Sequence, residues 1–469
     1  MEQLKRLFAA WAGVPCAECL ALGANGSSRR YYRLFNGGKS AIGCIADDLR
    51  ENEAFFAYSR HLHARGIHVP ELYAVADDRR HYLQQDLGDQ TLYGLLREKK
   101  QQGGGFDAEM LALYKQALDD LHNIQVAGRD LDFSLAYPRP AFDRRSILWD
   151  LNYFKYYFLK LQHIPFDEER LEDDFDRFAD LLLTADTSYF LYRDFNPRNI
   201  MLPTPHSPLT TLYYIDYQGG RRGAAQYDVA SLLYSAKSDL PQAIRNELLQ
   251  HYVALHGDPH FMDHFWHYVL VRILQTLGAY GYRGLYERKP YFIESIPLAL
   301  NNLRLLLQDH PDLLANLPEL RNDVDALNVS TCQPINLSTD TLTVTVQSFS
   351  YKQGLPDDPS GNGGGHIFDC RALPNPGRYP EYKTYTGKDR PVIEFLQREL
   401  AVDLFLQNAM NIVSQSVDKY LERRFSHLSV AFGCTGGQHR SVYCAEQLTA
   451  RLKEKYPAVN VVIKHREQA

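Results

Sequence analysis

Long apolar runs are missing from this 469-residue chain, since no stretch reaches the roughly 18 residues that would cross a bilayer. The opening Met1-Glu-Gln-Leu-Lys-Arg-Leu-Phe8 lacks a basic segment followed by an unbroken apolar one, so no secretory leader is expected and the protein is placed in the cytoplasm with no membrane partner. Cysteine is also scarce. The seven residues at 16, 19, 44, 332, 370, 434 and 444 are odd in number and scattered, which excludes a disulfide framework. Only Cys16-Ala-Glu-Cys19 has ligand spacing, and no second Cys or His pair stands near it to complete a zinc site. A strong charge of one sign is absent too. The net charge is −6, yet from Thr341 onward sixteen Lys and Arg meet thirteen Asp and Glu, so the body is acidic and the tail mildly basic. That asymmetry permits an anionic ligand or RNA at the C-terminal end and excludes little else.

What is present is core-forming material, 45% hydrophobic and 12% aromatic, in a chain too long for one core. Residues 20–90 read as short strands around one helix. Arg30 to Phe35, then Asn-Gly-Gly, then Ser40 to Ile45 predict a hairpin. Phe55, Tyr58 and Leu62 predict a helix over 51–65, and His81 to Leu87 returns as a strand. Helical patterns dominate from 107 to 315, interrupted by short strands at Ser188 to Tyr192 and Leu212 to Asp216. Small polar residues around Asn328 to Asp340 mark a linker. Beyond it the alternating strand Leu342 to Phe349, a Gly- and Pro-rich stretch, helices over 390–424 and 440–455, and strands at Leu428 to Phe432 and Val459 to Lys464 predict an α/β domain. The division is a small sheet lobe over 1–86, a helical lobe over 87–325, a linker over 326–340 and a separate domain over 341–469.

The densest chemistry lies in Tyr192-Arg-Asp-Phe-Asn-Pro-Arg-Asn199, followed seventeen residues after Asn199 by Asp216 at the end of an apolar strand. Phosphoryl transfer needs a carboxylate that orients the attacking hydroxyl and accepts its proton, and hard oxygen ligands that hold Mg²⁺ on a triphosphate. Asp194 fits the first role, and Asn199 and Asp216 fit the second. Each taken singly also reads as an Asx turn or a helix cap; the D-x-x-x-x-N…D order as a set is that of kinase-like folds.

These residues resemble the aminoglycoside phosphotransferase and choline kinase superfamily over about residues 15–315. The resemblance implies an α+β, protein-kinase-like bilobal domain using ATP and Mg²⁺, with Tyr214-Ile-Asp-Tyr-Gln-Gly as the metal-aspartate strand and Asp228 as a partner that holds the catalytic loop. Glu51-Asn-Glu-Ala-Phe-Phe, Val69 to Ala74 and the hinge-like Leu83-Gln-Gln-Asp-Leu-Gly-Asp89 look closer to anomeric kinases of N-acetylmuramate and N-acetylglucosamine, enzymes of cell-wall recycling. Gln85 and Leu87 of that hinge are then nucleotide contacts. No G-x-G-x-x-G is present; Gly23 to Arg30 instead offers Ser27, Ser28 and Arg30 to the phosphates. The strand Ala41-Ile-Gly-Cys-Ile-Ala lacks the lysine of protein kinases, leaving Arg30 or Lys39 as substitutes, or the metal alone. For the acceptor, the aromatic helix Ser146 to Phe158 presents Asp150 and Tyr153, the alternative being that its stripe is core.

In the tail, Phe432-Gly-Cys-Thr-Gly-Gly-Gln-His-Arg-Ser-Val442 joins a strand to a helix, the form of an anion cradle. Cys434, Thr435, Gly436, Gly437, Gln438, His439, Arg440 and Ser441 form it, with Arg440 a bidentate phosphate contact. The Cys434-x₅-Arg440 spacing also fits cysteine-dependent phosphatases, although Ala431-Phe-Gly precedes it instead of their histidine. Residues 341–469 resemble the C-terminal domain of the RNase adapter RapZ, through Ser348-Phe-Ser-Tyr-Lys-Gln-Gly354, Phe368-Asp-Cys-Arg371, Thr386-Gly-Lys-Asp389 and Gly433 to Ser441. The resemblance implies an α/β domain with a phosphate-binding strand-loop-helix, Lys352 included, that binds a phosphorylated amino sugar and, in the family, RNA. The reading is a kinase of a small hydroxyl acceptor, an amino sugar, joined to a domain for a phosphorylated sugar. The alternatives are a non-enzymatic regulator and an aminoglycoside-modifying kinase.

Overall fold

The structure, a computed structural model, describes residues 1–23, 29–203, 211–327, 342–356, 365–423 and 425–468. The chain divides into two compact units, Met1–Cys332 and Gln333–Ala469.

The first unit opens with a five-stranded antiparallel sheet of β1 (Glu18–Ala21), β2 (Arg30–Asn36), β3 (Lys39–Ile45), β4 (Leu72–Val75) and β5 (His81–Gln85), in the order β1-β2-β3-β5-β4. Gly37 and Gly38 both take positive φ, 56° and 81°, and so close the tight β2–β3 hairpin. Period two separates the faces of β2. Leu34 packs beneath the helix Glu2–Ala12 with Leu4, Phe8, Ala41 and Leu83, whereas Tyr31 turns to the opposite side, against the main core. There the helix Leu49–Ala64 packs through Phe55, Tyr58 and Leu62, its first turn capped by Asp48, which accepts from the Arg50 and Glu51 amides. The strand expected to run to Leu87 stops at Gln85, because Asp86 turns to bind Arg33 Nε at 2.9 Å and the Ser40 hydroxyl.

The helical part follows, with short antiparallel pairs set into it: β6 (Tyr189–Leu191) with β9 (Arg221–Gly223), and β7 (Ile200–Met201) with β8 (Tyr213–Tyr214). The strand expected over Leu212 to Asp216 contracts to two residues, since Asp216 itself takes a φ of 72°. The helices Arg144–Phe154 and Phe261–Tyr280 pack side by side and each continues into a π-helical turn.

The second unit is a parallel sheet of β10 (Thr343–Ser350), β11 (Gly365–Asp369), β12 (His427–Cys434) and β13 (Asn460–His465), in the order β11-β12-β10-β13. Val344, Val346, Val430 and Phe432 pack with Leu406, Val413 and Leu448 of the helices Leu400–Glu422 and Arg440–Lys455, forming a core of the unit's own. The first unit is thus kinase-like and the second a separate α/β domain. Among the described residues no helix is long and apolar enough to cross a membrane.

Candidate active site and C-terminal anion loop

Strand β6 delivers the chain to the catalytic loop. Tyr192 and Arg193 follow it, and Arg193 takes a φ of 83°, a left-handed conformation that a non-glycine residue holds only when its surroundings compel it. Asp228, in the first turn of the helix Gln226–Leu233, compels it here: its two oxygens accept from the Tyr192 amide at 2.7 Å and the Arg193 amide at 2.9 Å. Asp228 is fully buried, and burial pushes its carboxyl up to about 7 against the pull of those two amides. The Arg193 guanidinium then reaches Asp150 through two bonds of 2.7 and 2.6 Å and donates to the Tyr227 hydroxyl at 2.5 Å. Tyr192, where protein kinases carry histidine, donates its hydroxyl to the Ile215 carbonyl at 2.6 Å and so ties this loop to the one that carries Asp216.

On that frame Asp194 stands half exposed at the cleft, its Oδ1 3.9 Å from Nη2 of Arg272. Asn199 Nδ2 donates to the Asp194 carbonyl at 2.9 Å and to Asp216 Oδ2 at 3.1 Å, and Gln218 donates to Asp216 Oδ1 at 2.8 Å. Asp194, Asn199 and Asp216 therefore converge. Crowding by protein atoms raises the Asp216 carboxyl, and the neighbouring Asp194 carboxylate raises it further; Gln218, Arg29 and Asn199 work in the other direction. Asp216 nonetheless keeps an open face to solvent, as the floor of a cleft does.

The other sequence candidates scatter more widely. Ser27 and Ser28 lie outside the described residues. Arg30 is exposed and 4.0 Å from Asp47. Gln85 ends β5 with its Oε1 accepting from the Glu71 amide at 3.3 Å, and Leu87 is buried just beyond. Both oxygens of Asp150 accept from Arg193, which joins this candidate acceptor contact to the catalytic loop. Tyr153 is half-buried in a tyrosine cluster, 4.8 Å from the Tyr157 ring and 5.9 Å from Tyr282; Tyr286 completes the cluster at 65% exposure.

In the second unit the register pairs Ser350 with Cys434 and Asp369 with Gly433, so the loop after β12 sits at the carboxyl ends of the parallel strands, where such sheets bind ligands. Ser350 donates to the Thr435 carbonyl at 2.8 Å, and Lys352 is exposed two residues on. The loop curls around the Cys434 thiol: the Gly437 amide donates to Sγ at 3.2 Å and the buried Ser441 hydroxyl lies 3.1 Å away. Burial opposes ionisation of this thiol, but the bonds from Ser441, Gly437 and Gly436 prevail and lower it. Thr435 and Gly436 face outward, Gln438 donates to the Glu467 carbonyl at 2.9 Å, and His439 Nε2 pairs with the Tyr382 carbonyl at 3.0 Å. Nη1 of Arg440 donates to the carbonyls of Arg371 and Leu373, at 2.7 and 3.0 Å, and so ties the start of its helix to that segment.

Three residues of these sites escaped sequence reading. Arg272 comes from a helix 78 positions after the catalytic loop's Asp194, and nothing local marks it. Arg29 differs from the proposed Arg30 only in strand parity, a signal the sequence did contain. Glu467 has both carboxylate oxygens buried without a hydrogen-bond partner among the described residues, and Oε2 lies 2.6 Å from where a side chain on Gly437 would begin.

The family model described as phosphotransferase enzyme family matches residues 18–265, and that of the RapZ C-terminal domain matches 342–469. Curated relatives carry the name nucleotide-binding protein. One from Acidovorax sp. (strain JS42) is 36% identical over 163 residues, 33% of this chain and 54% of the relative. One from Idiomarina loihiensis is 41% identical over 126 residues, 27% and 42% of the two chains. The chain thus spans about half the length of the curated relatives it matches. Among solved structures, choline kinase LicA from Streptococcus pneumoniae is similar at 15% identity and a TM-score of 0.44, covering 65% of this chain and 99% of that one. A thermostable mutant of aminoglycoside phosphotransferase APH(4)-Ia is similar at 14% and 0.41, covering 65% and 98%.

Proposed function

The chain belongs to the phosphotransferase enzyme family, and from that premise we propose that its first unit moves the γ-phosphoryl group of ATP to a hydroxyl of a small acceptor, an amino sugar such as N-acetylglucosamine or N-acetylmuramate. The convergence of Asp194, Asn199 and Asp216 on one cleft carries the reading. Asp194 orients the acceptor hydroxyl and takes its proton as the new O–P bond forms and the β–γ bridging P–O bond breaks, releasing ADP. Asn199 and Asp216 offer hard oxygens, and the raised Asp216 carboxyl beside Asp194 marks a place where a divalent cation relieves repulsion, so Mg²⁺ fits this donor set. When bound, the ion neutralises charge on the triphosphate. Arg193, Asp150 and Asp228 position the loop. The half-buried tyrosines around Tyr153, with the exposed Tyr286, suit the C–H faces of a sugar ring.

The second unit, in this reading, holds a phosphorylated amino sugar. The exposed Gly436, the nearby Lys352 and the helix N-terminus address the phosphate, and the Glu467 carboxylate, without a hydrogen-bond partner among the described residues, addresses an ammonium group. A kinase assay over free hexosamines and their N-acetyl forms, with product position read by phosphorus–proton NMR, tests the first part. Asp194→Asn should lose turnover by about 10³-fold or more while still binding ATP; full turnover in that variant rejects the assignment. Titration of the same chain with a hexosamine phosphate and with a structured RNA tests the second. Tight binding of the RNA alone favours the regulator reading.

A further inference from the structure

Arg198 stands between Pro197 and Asn199 in the turn that closes the catalytic loop. The loop is folded back on itself, since the Asn196 amide donates to the Asp194 carbonyl at 2.9 Å and the Asn199 amide to the Asn196 carbonyl at 2.9 Å, so Arg198 stays near Asp194. Asn199 turns toward Asp216, whereas the exposed Arg198 donates from Nη1 to the Tyr291 hydroxyl at 2.9 Å, its guanidinium carbon 5.7 Å from the centre of that ring. Lys237 reaches the same ring from the turn Ala236–Ser238, with Nζ 3.2 Å from its centre. Tyr291 therefore carries two cations. Neither has a carboxylate within ion-pair distance among the described residues.

The helix Phe261–Tyr280 connects this group to Asp194. Its Arg272 lies 3.9 Å from the Asp194 carboxylate, and about two turns further on Tyr280 packs against Phe292, with ring centres 5.8 Å apart, next to Tyr291. The helix Leu92–Gln101 packs on the Pro197–Asn199 turn and brings the exposed Arg97 to the same region. The π-helical turn 281–286 packs on the helix Pro290–Ile293, so the tyrosines suited to a sugar ring and the two cations flank one turn. Burial lowers the Lys237 ammonium, Glu294 raises it, and Arg198 and Arg97 lower it further, with a net fall. Three cations thus meet one exposed carboxylate.

We propose that Arg198, Lys237 and Tyr291 receive an anionic substituent of the acceptor, a carboxylate or a phosphate, and so select an acidic sugar over its neutral counterpart. This rests on the phosphotransferase reading above. The chemistry suits an oxyanion. The Tyr291 hydroxyl accepts from Arg198 and has its own proton to donate. The Arg198 guanidinium is exposed and spends one of its five donors on Tyr291, and its planar fork matches two oxygens of a single anion. A cation over a ring face is attracted to it but stays charged, so packing alone leaves two like charges gathered around Tyr291. An anion shared between them relieves the repulsion and gains from both.

Steady-state transfer from Mg·ATP by the full chain to N-acetylglucosamine, N-acetylmuramate and N-acetylglucosamine 6-phosphate decides the matter, since the three present no anion, a carboxylate and a phosphate. One of the two acids should exceed the neutral sugar in kcat/KM by about 10-fold or more. Arg198→Met and Lys237→Met should each raise KM for that acid about 10-fold, close most of the gap to the neutral sugar and keep KM for Mg·ATP. Arg198→Lys should recover part of the loss. A wild type that treats neither acid better than the neutral sugar overturns the inference, as does an equal loss for acid and neutral sugar in the variants, which assigns the pair to the fold. If a Met variant does not fold, Arg198→Lys and Tyr291→Phe make the same comparison. A chain that transfers phosphate to none of the three rejects the phosphotransferase reading for these sugars. Isothermal titration with the two acids then judges the anion site by itself: binding that is lost in Arg198→Met upholds it, and no binding overturns it.

Discussion

Arg193 and Asp150 are joined by two parallel hydrogen bonds of 2.7 and 2.6 Å, although 43 residues separate them in the chain. Arg193 is also the residue held at positive φ immediately before Asp194, so this pair and the Asp228 clamp act on one peptide from two sides. Removing one member leaves the other charge buried. Asp150→Ala should therefore lower unfolding free energy by about 3 kcal/mol, measured by urea denaturation, and reduce kcat far more than it changes KM for the acceptor. The double variant Asp150→Leu/Arg193→Met should recover much of the stability and none of the turnover. A rise in acceptor KM alone would return Asp150 to the substrate side.

Asp228 sets a pH dependence. Its carboxyl lies near 7 in the fold, because burial disfavours the charged form, and near 4 in the unfolded chain. A carboxyl raised on folding contributes stability that is complete below the unfolded value and is lost as pH rises through the folded one. Between about pH 5 and pH 8 the wild type should thus lose stability relative to Asp228→Asn, by roughly 2–3 kcal/mol. Parallel urea titrations at the two pH values measure it, and a constant difference between the proteins contradicts the assigned shift.

How far the sequence carries depends on whether partners are near in the chain. Asp194 and Asn199 share one loop, Asp216 closes the next short strand, and the spacing alone suggested a set; Asp228, twelve residues on, came with the resemblance. The pairing of Arg193 with Asp150 was invisible, because a long-range ion pair leaves no periodicity. Arg29 illustrates a subtler loss: two adjacent arginines look alike until the strand's parity is fixed by which of Tyr31 and Tyr32 faces the helix Leu49–Ala64. Arg440 shows that a residue type announces charge but not direction. At the first position of its helix it could serve a ligand or the protein's own backbone, and its Nη1 donates to the carbonyls of Arg371 and Leu373.

Cys434 should react as a shielded, acidified thiol. The bonds from Ser441 and Gly437 lower it below the ordinary cysteine range, so its alkylation by iodoacetamide should reach half-maximal rate at a lower pH than free cysteine does, measured by mass spectrometry of the 434-containing peptide. Burial should keep the absolute rate low, and a hexosamine phosphate should slow it further if the loop is the ligand site. Ser441→Ala removes one donor and should shift the midpoint upward. A midpoint equal to or above that of free cysteine would mean that burial cancels or outweighs the loop's hydrogen bonds, against the lowered thiol.

The tyrosine cluster proposed to receive the acceptor depends on one glycine. An added side-chain carbon at Gly281 would stand 1.9 Å from the Tyr157 carbonyl oxygen and 2.6 Å from its carbon, a clash with backbone that no rotamer relieves. Here the π-helical turns 155–159 and 281–286 touch, and the approach lets Tyr153, Tyr157 and Tyr282 pack together. Gly281→Ala should destabilise by about 2–3 kcal/mol, since neither helix can yield without repacking. Gly219→Ala, where an added carbon meets nothing within 4 Å, is the control and should shift stability by no more than about 0.5 kcal/mol. Below its melting temperature the Gly281 variant should keep its KM for ATP, because the nucleotide residues lie on the sheet and the catalytic loop, and show a raised KM for the sugar, because the tyrosines are displaced. An unchanged sugar KM alongside the stability loss would make the cluster a packing seam and move the acceptor elsewhere in the cleft.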